Sequence, residues 1–145
     1  MCSYKNYLQV AFGLMLGLMQ GVTHATDYVD VLDLPAKVSP LAINSSLSGM
    51  ARAGERVIAV GQRGHILYSD DAGKRWQQAA VPVSADLTAV NFPTATQGWA
   101  VGNDGVVLHS RDAGATWSRQ LDGRQMGALL VKHYSTLASA EPGNE

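Results

Sequence analysis

The chain has 145 residues, 46% of them apolar and 16% charged, with a formal net charge of −1. That length accommodates one ordinary domain with a packed core. A near-neutral balance without a basic stripe argues against a nucleic-acid partner.

The first 25 residues read MCSYKNYLQVAFGLMLGLMQGVTHA, with Lys5 the only charge before Asp27. An apolar run from Tyr7 to Val22 ends in Thr23-His24-Ala25, which puts small residues at the −3 and −1 positions of a cleavage site. The pattern predicts a secretory signal peptide over residues 1–25, cleaved near Ala25, and a periplasmic or secreted mature chain. The run is punctuated by glycine and is shorter than the roughly 20 apolar residues a spanning helix needs. Cys2, the single cysteine, leaves with the peptide, so the mature chain is expected to hold together without a disulfide.

Residues 26–46 carry Asp27, Asp30, Asp33, Pro35 and Pro40 and read as a lead-in, with one strand expected over Val29–Leu32. From Leu47 onward the chain repeats itself at an offset of 41 residues. AVGQRGHILYSDDAGKRW (Ala59 to Trp76) aligns with AVGNDGVVLHSRDAGATW (Ala100 to Trp117), and ten of the 18 positions are identical. Such a repeat has to be found before any fold is assigned.

Each copy reads as four short strands. In the first (residues 47–80) they are expected near Leu47–Arg52, Arg56–Val60, His65–Tyr68 and Arg75–Gln78. In the second (residues 87–121) they are expected near Leu87–Phe92, Gly98–Val101, Val106–His109 and Thr116–Gln120. Turn signals such as Gln62-Arg63-Gly64 and Asn103-Asp104-Gly105 separate them. Four strands in about 41 residues is the size of one propeller blade.

Between the third and fourth strands of each copy lies S-x-D-x-G-x-x-W: Ser69, Asp71, Gly73, Trp76, and again Ser110, Asp112, Gly114, Thr116, Trp117. An aspartate side chain accepts hydrogen bonds from backbone N–H groups further along a turn. Glycine supplies a positive φ at no steric cost, and tryptophan buries a large flat surface. These residues give a sufficient account of a closed hairpin and need no catalytic step. A calcium loop would want several oxygen ligands at alternate spacing. The second copy has Arg111 where the first has Asp70, so the acidic pair is not repeated. No catalytic, cofactor-binding or metal-binding residue is expected, and no cofactor.

The box resembles the Asp-box, or bacterial neuraminidase repeat. The second copy matches it throughout, and the first departs only at Arg75, where threonine is usual. The longer phrases LTAVNFPTATQGWAVGNDGVVLHSRDAGATW and VIAVGQRGHILYSDDAGKRW are similar to the photosystem II stability/assembly factor-like family over Leu47 to Leu121. That resemblance implies an exported β-propeller and a non-enzymatic role, binding a protein partner while a membrane complex is assembled. Sialidases also carry Asp-boxes, which makes a sialidase-type glycoside hydrolase fragment the competing reading. They need an arginine cluster, a tyrosine–glutamate nucleophile pair and an acid. Here the arginines include Arg63, Arg75, Arg111 and Arg119, placed in turns and strands of the repeat. The mature glutamates are Glu55 in a turn and Glu141 and Glu145 in the tail.

Of the three histidines of the mature chain, His65, His109 and His133, the first two lack metal-ligand spacing and read as surface or strand-end residues. Trp99 stands in the place of Ile58 and reads as core or inter-blade packing. In residues 122–145, Met126, Leu129, Leu130, His133, Tyr134 and Leu137 fall at helical spacing, which predicts a helix over about Gly123–Ala138. Asp122 and Gln125 form a capping-box pattern at its start, and the apolar face is expected to pack on the last blade. The fold class is therefore mostly β: two four-stranded propeller-type blades followed by one C-terminal helix. A propeller closes with four or more blades. Two blades point to a truncated gene product, which would be nonfunctional or impaired, or to self-association through open strand edges, or to a small two-sheet domain.

Overall fold

The computed structural model describes residues 28–140. The export signal read in residues 1–25, the sole cysteine and the last five residues of the tail lie outside them.

Two four-stranded antiparallel sheets follow one another along the chain. Blade 1 holds β1 (Leu47–Ala53), β2 (Arg56–Gly61), β3 (Ile66–Ser69) and β4 (Gln77–Gln78), paired in that order. Blade 2 repeats the arrangement with β5 (Leu87–Asn91), β6 (Gly98–Gly102), β7 (Val107–Ser110) and β8 (Ser118–Leu121). The register repeats as well. Ala59 faces Leu67 in blade 1, and Ala100 faces Leu108 in blade 2. The first pairing of each sheet carries a bulge at the same place, after Leu47 and after Leu87.

Successive side chains of a strand point to opposite faces of its sheet. Blade 1 thus offers Ile58, Val60 and Ile66 on one face, all fully buried. Blade 2 meets that face with Ala100, Leu108 and Trp117, which join the same core cluster. β1 and β5 run side by side, with Gly49 so close to Ala89 that a Cβ would lie 3.2 Å from its Cα. Gly61 and Gly102 are a repeated close approach. A Cβ there would run into the carbonyl oxygens of Ser46 and Asp86 respectively. Those carbonyls instead accept from the backbone N–H groups of Gln62 and Asn103, at 3.1 and 2.8 Å.

Val29–Leu32 is not a strand. Asp30 bends the chain: its Oδ1 accepts from Leu32 N and its carbonyl from Asp33 N, both at 2.9 Å. An Asx turn of this kind competes with extended structure. The lead-in then packs along the linker between blades, through Ser84 N to Val31 O (2.8 Å) and Ala36 N to Val81 O (3.0 Å). Leu32 enters the core.

The C-terminal helix α1 spans Gly123–Ala140. Its expected packing on blade 2 does not occur. Every residue of α1 is exposed, and Leu129, Leu130, Val131 and Tyr134 are each at least half open to solvent. Only its first turn touches the body, where Gly123 lies against the turn at Gly105. No described helix is long and apolar enough to cross a membrane.

Candidate protein-binding surface

The two S-x-D-x-G-x-x-W segments build the same turn. Ser69 Oγ donates to Asp71 Oδ1 and accepts from Gly73 N, each at 2.9 Å. Ser110 Oγ does the same with Asp112 Oδ1 and Gly114 N, again at 2.9 Å. Asp71 Oδ1 accepts from Arg75 N at 2.8 Å, and Asp112 Oδ1 from Thr116 N at 2.9 Å. Each tryptophan folds back, with Trp76 Nε1 donating to Gly73 O and Trp117 Nε1 to Gly114 O at 3.0 Å. Glycine is not alone in the left-handed region: Ala72 (φ 58°) and Ala113 (φ 56°) precede Gly73 (φ 89°) and Gly114 (φ 81°) there. Alanine at positive φ is uncommon. The serine and aspartate side chains hold it in place by occupying the turn's interior.

The boxes differ in their surroundings. The second is wedged between blades. Trp117, 7% exposed, meets Phe92 edge to face at 5.7 Å, and its backbone N–H donates to Ala80 O at 3.2 Å. The first lies on the side of blade 1 that faces away from blade 2, and Trp76 is half-buried. Arg75 side-chain Nε donates to Asp71 Oδ2 at 2.7 Å and holds that carboxyl down to about 2. In the second copy burial pushes the Asp112 carboxyl up, but the Thr116 hydroxyl and backbone N–H more than offset this and leave it lowered.

Arg56 is a residue the sequence reading passed over. Its Nε and Nη2 grip Asp70 at 2.6 and 2.9 Å, its guanidinium lies 4.2 Å over the Tyr68 ring, and its Nη1 reaches Ala113 O of blade 2 at 3.3 Å. A signal was present. Arg56 and Asp70 align with Gln97 and Arg111, so both partners of a charge pair change together between the copies.

A second cluster joins lead-in and helix. Asp33 receives Arg124 Nη1 and Nη2 at 2.8 and 3.0 Å, which holds its carboxyl down to about 2. Arg119 Nη1 donates to Leu32 O at 2.5 Å. Asp122, 1% exposed, caps α1 by accepting from Arg124 N (3.0 Å) and Gln125 N (3.3 Å). Burial pushes its carboxyl up, and Arg124, the Gln125 N–H and Arg119 together bring it below the ordinary value.

His65 is buried rather than on the surface, with its Nδ1 3.1 Å from Ser45 Oγ. It faces a groove of about 560 Å³ between the lead-in and blade 1. Burial, with Arg63 nearby, lowers its pKa. Trp99 is not core. It lies half-buried on the far face of blade 2, stacked on His109 at 4.6 Å, with Nε1 donating to Gln120 Oε1 at 2.9 Å. His109 Nε2 is buried without a hydrogen-bond partner among the described residues. The same face carries Val101, 40% exposed, and half-buried Val107. Glu55 sits exposed in the turn between β1 and β2. Among the described residues no group of three or more His, Cys, Asp or Glu side chains is placed to hold a metal ion. The arrangement thus presents turns, a stacked aromatic pair and apolar strand surface, which suit contact with another polypeptide.

Comparison with known proteins adds the family. No curated protein matches the chain. Among solved structures, one described as YCF48 bound to D1 peptide is 24% identical with a TM-score of 0.48, covering 54% of this chain and 27% of its own. YCF48 from Cyanidioschyzon merolae is 29% identical with a TM-score of 0.46, covering 52% of this chain and 23% of its own. The chain therefore spans about a quarter of the length of the structures it matches. The family model described as photosynthesis system II assembly factor YCF48 matches residues 27–132, both blades and half of the helix, and the chain belongs to that family.

Proposed function

We propose that this chain is a non-enzymatic, exported scaffold that binds a protein partner during assembly of a membrane complex, photosystem II. Membership of the YCF48 family over residues 27–132 carries this reading. The partner is a polypeptide segment of the kind held in the YCF48 structure with a D1 peptide, rather than a nucleic acid or a small-molecule substrate. The repeated boxes around Asp71 and Asp112 serve as structural turns that present the blade faces. Export follows cleavage near Ala25.

Crosslinking in the exported compartment tests the proposal. Capture of the chain should bring down photosystem II subunits, a D1-type protein among them. Recovery of nothing above background overturns the assembly reading. Intact mass of the exported form tests the cleavage: a chain that keeps residues 1–25 sinks it.

A further inference from the structure

We propose that His65 and Ser45 form a pH-sensitive latch: with the imidazole neutral they hold the turn Ala42–Asn44 of the lead-in against blade 1, and protonation of the ring lets that turn swing away. The proposal goes beyond the assembly-factor reading and does not rest on it. Every group involved belongs to blade 1, to its own lead-in or to the linker that follows it.

His65 stands at the entry to β3 and is 8% exposed, with Nδ1 3.1 Å from Ser45 Oγ. The Ser45 hydroxyl donates its one proton to Ala42 O at 2.6 Å. It is left with acceptor lone pairs, so His65 Nδ1 carries the hydrogen of this contact. An added proton must then go to Nε2. The hydroxyl thus ties the ring to a carbonyl of the turn Ala42–Asn44. Little else buries that turn. Ala42 is its one buried residue, while Ile43 is 47% and the preceding Leu41 69% exposed. A segment with so few buried contacts belongs to the low-stability end of a fold and opens first.

The charges around the ring oppose a proton. The groove that His65 faces is lined by two cations, Lys37 from the lead-in and Arg63 from the turn before β3, and by no carboxylate. The linker contributes Ser84 to it, and the turn Ala42–Asn44 is uncharged. Asp86 accepts from Arg63 N at 2.8 Å and does not line the groove. Burial, and then Arg63, disfavour the charged ring and outweigh the Lys37 carbonyl, which favours it. A ring whose closed-state value lies below the ordinary 6.5 holds the latch fully above pH 6.5 and loses its hold as the pH falls below that. Each unit of depression multiplies the ratio of open to closed turn roughly tenfold.

Blade 2 shows that packing does not require this pair. Ser46 and Asp86 are equivalent, since their carbonyls accept from Gln62 N and Asn103 N. Ser45 is therefore the counterpart of Ala85, and His65, at the 41-residue offset, of Val106. Val106 is 1% and Ala85 2% exposed. Histidine and serine thus stand together where the second copy closes the equivalent site with two aliphatic residues. Both partners of the hydrogen bond differ at once, and what the pair adds is a group that changes charge near neutral pH.

Hydrogen–deuterium exchange of the full chain, read as protection factors from about pH 8 to about pH 5, tests the latch. That range lies well above the values of about 2 at which Asp33 and Asp71 titrate. The Ala42, Asn44 and Ser45 amides donate to Ser39 O, Leu41 O and Ala42 O. They should lose protection by roughly threefold or more as the pH falls below 6.5, while the amides of β2 and β3 keep theirs. The pair found in blade 2 supplies the decisive variant: His65→Val with Ser45→Ala should hold the protection constant over the same range. His133→Ala, on α1, should leave the pH response as it is. Should the double variant fail to fold, nitrogen NMR of the natural chain still decides. The His65 ring must be the Nδ1–H tautomer above pH 6.5 and must change charge over the interval in which the turn loses protection. Protection that stays flat, that falls equally in β2 and β3, that still falls in the double variant or that His133→Ala makes constant overturns the proposal. So does an Nε2–H ring, or one that changes charge over a different interval.

Discussion

Arg75 closes its turn on Asp71 by the route Thr116 uses on Asp112: a side-chain donor to Oδ2, at 2.7 Å from the guanidinium and 2.6 Å from the hydroxyl. The departure from threonine in the first copy is thus a substitution of donor, with the backbone hydrogen bonds unchanged. Arg75→Thr should leave the urea midpoint of unfolding unchanged at moderate salt. Because the arginine side chain is 89% exposed, its ion pair is screened. The variant should therefore be less sensitive to salt than the natural chain. A large drop in midpoint would show that the guanidinium does more than close the turn.

The two serines sit at the centre of their turns, each 1% exposed. Ser110→Ala removes the acceptor for Gly114 N and a donor to Asp112. Leaving a buried donor unsatisfied costs about 1–3 kcal/mol. Ser69→Ala should cost less, since Gly73 is half-buried where Gly114 is buried, so water can reach the N–H that is left unpaired. Paired urea titrations of the two variants check the order.

Trp117→Ala empties a site within the core, against Phe92 and the chain at Ala80. Truncating a buried tryptophan costs about 3–5 kcal/mol. Trp76→Ala, at the equivalent but half-buried position, should cost less than half as much in a dilute solution of the chain. Equal costs would mean that Trp76 is covered by something the second copy's tryptophan does not have.

Asp33 and Asp71 both titrate at about 2 in the fold, against an ordinary 3.8, because Arg124 and Arg75 respectively hydrogen-bond to their ionised forms. A depressed folded value means stability that is fully present above 3.8 and lost as the pH falls through about 2. Urea midpoints should therefore decline most between pH 4 and pH 2. Arg124→Ala removes the chief partner of Asp33, so it should lower the midpoint modestly above pH 4 and thereby flatten that decline, with little change near pH 2.

Helix α1 is exposed along its whole length and tied to the body only at its first turn. Its amides beyond that turn should exchange with solvent deuterium far faster than those of β2, β3, β6 and β7. Deleting residues 126–145 should leave the thermal transition of the sheets within a few degrees of the full chain. Protection of the helix equal to that of the strands would show that it packs in solution.

Most of the strand pattern is set by local sequence. Alternation in β2, β3, β6 and β7 and the punctuation of Gly64 and Gly105 place those strands within a residue or two, because pleat and turn chemistry are short-range. The box residues are equally legible, since serine, aspartate and glycine bond within four positions of one another. The fourth strands are shorter than their patterns suggest. Arg75 and Thr116 still belong to the turn, and pairing begins at Gln77 and Ser118. The family was also readable from the repeated phrases alone.

What only the tertiary structure decided is which equivalent positions become inequivalent. Ile58 and Trp99 occupy the same register in the same strand, yet one is fully buried and the other half open. Trp117 and Trp76 differ in the same way. The sequence determines a strand's faces, but burial requires a neighbour, and a neighbour is a long-range fact. The bent lead-in, the Arg56 bridge to Ala113 and the Arg124 clasp on Asp33 depend likewise on groups 57 and 91 residues apart or on one competing side chain. Helical spacing set the existence of α1. Whether its apolar stripe found a core was settled only by where the second blade stops and where Asp122 points the chain.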